Sequence, residues 1–103
     1  MPTNERTDVD RQSEVFDVQL LDVFAQVEAL LRGGREAQRL ALRIRGVPTP
    51  VTSGERRAAS RMICQQLTQM RTDCRLLQEV VGELAQTATR LEEMIDVEVT
   101  GET

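Results

Sequence analysis

A chain of 103 residues has room for one domain. Phe16 and Phe24 are the only aromatic residues and the rest is rich in Ala, Leu, Arg, Gln and Glu, so the composition leans against a sheet and favours helix. The net charge is −4, every one of the thirteen basic residues is Arg, and His is absent, which removes the commonest general base and metal ligand.

Residues 1–7 are polar and predict a disordered N-terminus. A first long helix is expected over 8–45. Apolar side chains recur there at Phe16, Leu20, Val23, Val27, Leu30, Gly34, Ala37, Ala41 and Ile44, in alternating steps of four and three. The phase runs through Gly33-Gly34 without a skip, so one continuous helix is expected, with each glycine costing about 1 kcal/mol relative to alanine. A kink at the glycine pair is the competing reading.

Residues 46–52 form a bend. Pro48 and Pro50 cannot sit inside a helix, Gly46 suits a C-cap, and Thr52 with Glu55 makes a capping box that opens a second helix over 53–96. That helix repeats the rhythm at Ile63, Leu67, Met70, Cys74, Leu77, Val81, Leu84, Ala88, Leu91 and Ile95. A flexible tail is expected over 97–103. The predicted fold is all-α: an antiparallel coiled-coil helical hairpin. The preferred register sets Phe16 opposite Ala88, Leu30 opposite Cys74 and Gly34 opposite Met70, large against small, with Gly34 making room for Met70.

The first helix is apolar over more of its circumference than one neighbour can cover. Val18, Leu21, Phe24 and Leu31, together with Val80 and Met94 on the second helix, are the candidate partner interface. The hairpin is therefore expected to complete a three- or four-helix bundle with a partner, as a homodimer or a hetero-oligomer.

Charge is segregated. Residues 32–61 hold eight arginines against two acids, while the segments before and after each carry a net −5. Arg32, Arg35, Arg39, Arg43, Arg56, Arg57 and Arg61 form a candidate basic patch at the bend. The last three sit in the first turns of the second helix, where positive charge opposes the helix dipole. Two hairpins packed head-to-tail would set each basic bend beside the other's acidic end; a partner with an acidic surface would do the same.

No constellation of catalytic residues, metal ligands or phosphate-binding glycines is visible, and no cofactor is expected. Cys64 and Cys74 would lie about 15 Å apart along one helix, too far for a disulfide. Cys74 holds a seam position and reads as a small buried hydrophobe. No apolar run reaches membrane-spanning length and no secretory leader pattern opens the chain, so an intracellular protein of cytoplasm or nucleus, not secreted, is expected. Arg32-Gly33-Gly34-Arg35 resembles a single RGG element, but overall acidity and the lack of stacking aromatics weigh against nucleic acid. The function expected is a non-enzymatic structural or adaptor subunit of a multiprotein complex. The alternatives are a regulator that binds an acidic surface or nucleic acid through the Arg-rich bend, and a small helical chaperone or inhibitor of a single partner.

Overall fold

In the computed structural model the backbone is described for residues 4–101 and the side chains for residues 7–101. The expected disorder at residues 1–3 and the last two residues of the tail lie outside the described residues. Two helices make up the chain, α1 (Asn4–Ile44) and α2 (Ser53–Gly101), and no strand occurs among the described residues. Helix α1 runs unbroken through Gly33-Gly34 and begins four residues before the expected start. Helix α2 runs five residues past the expected end; the Thr100 hydroxyl donates to the Asp96 carbonyl at 2.8 Å in this added turn.

The bend is built as its residues require. Gly46 adopts φ +73°, a conformation that strains any L side chain. Its N–H donates to the Arg43 carbonyl at 2.9 Å, and the Val47 N–H donates to the Leu42 carbonyl at 3.1 Å. This pair of bonds closes α1 with a Schellman motif. The Thr52 hydroxyl accepts the Glu55 N–H at 3.2 Å and opens α2. Its hydroxyl donates to the Glu55 carboxylate, 3.3 Å away, in place of the usual bond in which the cap's own N–H donates to the glutamate. Arg43 reaches Glu55 at 3.7 Å across the bend.

The chain divides into two compact units. The first comprises Met1–Ala25 with Gln78–Thr103, the second Gln26–Leu77. In the second, the helices return along one another from the bend as a helical hairpin. Leu40 and Ala59, each 2% exposed, are the fully buried apolar side chains among the described residues. They share one small depression with Met62. Gly33 is also buried, because a Cβ there would stand 2.8 Å from Gln66 Nε2 and 2.9 Å from Met70 Cγ. A Cβ on Gly34 would meet Met70 Cε at an ordinary 3.8 Å. The close approach therefore belongs to Gly33, one residue before the position expected to accommodate Met70.

In the first unit the buried contact is polar. Thr87, 4% exposed, donates its hydroxyl to Gln19 Oε1 at 2.6 Å, with the Glu83 carbonyl 3.1 Å from the same oxygen. Buried Thr87 has thus replaced the neighbouring Ala88, which is exposed, as the inward residue.

The same displacement recurs along α2. From Ala59 to Glu98 the less exposed residues are Ala59, Ile63, Gln66, Met70, Asp73, Leu77, Val80, Leu84, Thr87, Leu91, Met94 and Glu98, a strict alternation of four and three. Five of these match the expected seam, and five lie one residue earlier: Gln66 for Leu67, Asp73 for Cys74, Val80 for Val81, Thr87 for Ala88 and Met94 for Ile95. Cys74 is exposed, which corrects the expectation that it is buried. On α1 the line Phe16, Gln19, Val23, Gln26, Leu30, Gly33, Ala37, Leu40, Ile44 keeps the same rhythm, with Leu20, Gly34 and Ala41 half-covered beside it.

Candidate functional site

The half-step between the apolar rhythm and the buried line has a geometric consequence. One position in a heptad is about 50° around the helix, so each apolar stripe is turned that far from the contact between the helices. Antiparallel helices in contact are related by a twofold axis normal to their common plane. Residues of equal heptad phase on α1 and α2 therefore face the same side. The stripes do not turn away from each other; within each unit they converge on one flank.

In the first unit that flank carries Leu20 on α1 and Val81, Ala88 and Ile95 on α2; Val81 and Ile95 are each 44% exposed. Its outer border, one heptad position farther round each helix, holds Asp10, Asp17, Phe24, Gln78, Ala85, Glu92 and Val99. In the second unit the flank carries Val27 on α1 and Leu67 and Cys74 on α2, with Leu67 53% exposed. Its border holds Leu31, Gln38, Arg57, Cys64 and Arg71. The charged border residues are thus all acidic in the first unit and all basic in the second. The opposite flank mixes signs: Asp8, Asp22, Glu83 and Arg90 in the first unit, Glu36, Arg43 and Glu55 in the second.

The residues expected to form a partner interface separate along these lines. Phe24 and Leu31, each more than half exposed, stand at the border of the flank in their respective units. Val18 and Leu21 are exposed but lie farther round α1. Val80 and Met94 belong to the inward line of α2 and are half-covered by α1. Leu67, Val81 and Ile95, expected in the seam from their apolar character, are instead exposed surface.

All seven residues of the basic patch fall in the second unit and are exposed. Arg39 is tied to Glu36 by two hydrogen bonds, at 2.6 and 3.0 Å. Those bonds hold the Glu36 carboxyl below the usual carboxylate range and the Arg39 guanidinium above its own. Arg43 makes the longer contact with Glu55. Arg32, Arg35, Arg56, Arg57 and Arg61 form no ion pair among the described residues. An open groove of about 360 Å³ at the bend is lined by Arg39, Arg43 and the segment Val47–Val51. Among the described residues no cluster of His, Cys, Asp and Glu is arranged to hold a metal, and no helix is long and apolar enough to cross a membrane.

No protein-family model, curated protein or solved structure matches this chain.

Proposed function

We infer that the chain is a non-catalytic structural or adaptor subunit that works by burying helix faces against partner helices, in the manner of a coiled coil completed to a bundle. One observation carries this reading. Two long helices bury only Leu40 and Ala59 fully among the described apolar side chains, while a seven-residue rhythm of apolar residues stays exposed on one flank of each unit. Burying apolar surface contributes about 25 cal/mol per Å², so covering Phe24, Leu67, Val81 and Ile95 supplies several kcal/mol before the costs of association. The test is Phe24→Glu, read by the mass of the intact complex and by circular dichroism. Loss of assembly with helicity retained supports the reading, and unchanged assembly removes Phe24 from the docking surface.

A second reading rests on the eight arginines that form no ion pair among the described residues of the Gln26–Leu77 unit: contact with an acidic surface. Reversing Arg56 and Arg61 to Glu, at positions off the apolar flank, would then abolish that contact and leave apolar assembly intact.

A further inference from the structure

We propose that the occupant of the apolar flank is a second copy of this chain, paired so that the Met1–Ala25/Gln78–Thr103 unit of each copy lies on the Gln26–Leu77 unit of the other. The proposal rests on the interaction reading above and specifies its partner.

Charge decides between the possible occupants and orientations. The first unit holds thirteen acids against Arg6, Arg11 and Arg90, a net −10. The second holds ten arginines against four acids, a net +6. Neither is neutralised internally: no ion pair occurs among the described residues of the first unit, and the second has two, Arg39–Glu36 and Arg43–Glu55. The segregation sharpens at the flank itself. Asp10, Asp17 and Glu92 edge the apolar residues of one unit, Arg57 and Arg71 those of the other, with no charge of the wrong sign at either border. The opposite flank, with both signs in each unit, lacks this complementarity.

A copy of the chain therefore supplies what each unit lacks: exposed aliphatic residues at the same seven-residue spacing, bordered by the opposite charge. Pairing first unit on second satisfies both units of both chains. Pairing like on like would set acidic border against acidic border and is repelled. Arg57, which opposes the dipole at the start of α2, gains acidic neighbours in this arrangement.

The experiment uses the full chain, alone, in sedimentation equilibrium at about 0.1 M and about 1 M salt. A dimer at the lower salt is expected, weakened about tenfold or more at the higher, where screening reaches to about 3 Å. Two border variants then test the orientation. Arg57→Glu with Arg71→Glu makes both borders acidic; Asp17→Arg with Glu92→Arg puts arginine on the first unit's border as well. Each alone is expected to lose self-pairing about tenfold or more, and an equimolar mixture is expected to form a one-to-one pair at least as tight as the wild type. The mixture is the deciding measurement whether or not a single variant stays helical by itself. A wild-type chain that is monomeric at low salt and high concentration overturns the proposal. So does a dimer indifferent to both variants, or a mixture that fails to pair. A monomer that nonetheless binds a different protein through Phe24 overturns self-pairing and leaves the adaptor reading standing, whereas a chain that binds neither removes both.

Discussion

Gln26–Leu77 and the remainder of the chain solve the same packing problem with different chemistry. In Gln26–Leu77 a missing side chain at Gly33 lets the helices approach, and Leu40 with Ala59 closes an apolar contact beside it. In the other unit no glycine lies on the inward line; Thr87 and Gln19 meet there through a hydrogen bond. The first solution gains stability from burial and is sensitive to volume. The second gains little net energy from the bond but penalises any change that strands one partner. A heptad rhythm can thus be closed by shape in one place and by polar pairing in another.

The sharpest way to break the contrast is Leu40→Ala, which empties a fully buried site and should cost about 3 kcal/mol in urea unfolding at fixed protein concentration. The polar contact is expected to give way more gently: Thr87→Val should cost about 1–2 kcal/mol, because the Gln19 amide loses its partner. Adding Gln19→Leu to that variant should recover most of the loss, since both polar groups are then gone; a double variant no better than the single would show that the bond is not what matters there. Next comes Gly34→Ala, whose new methyl meets only ordinary contact. Thermal melting should show a gain of up to about 1 kcal/mol, while Gly33→Ala forfeits that gain by pressing on Gln66 and Met70. The smallest effect concerns Glu36. Its folded carboxyl titrates below its unfolded value, so the stability it contributes is present above the unfolded value and is lost as pH falls through the lowered one. Glu36→Gln should remove this acid-side dependence, detectable as a slightly flatter melting-temperature profile below neutral pH, with little change at pH 7 because the pair is exposed.

Much of this architecture is legible in the residues. Gly46 and Thr52 mark their caps, the prolines mark the bend, and Ile63, Met70, Leu77, Leu84 and Leu91 belong to the seam in both the expected and the observed arrangements. The rotation of the helices was not legible in a search for apolar letters. That search prefers Leu67 to Gln66 and Cys74 to Asp73, because it values hydrophobicity and ignores what a polar side chain can bond to or how closely glycine lets a neighbour come. A signal did exist: Gln12, Gln19 and Gln26 repeat at intervals of seven and lead to Gly33 and Leu40, which marks a second inward line. The acid and arginine borders were legible only as segment charges, since their alignment with one flank depends on that rotation.

Cys64 and Cys74 form no disulfide and are open to solvent, on the border and the flank respectively, in a chain without Trp or Tyr. The native molecule therefore carries its own footprinting probes. The rate at which a thiol reagent alkylates Cys74, followed against protein concentration, would record the covering of that surface in unmodified sequence.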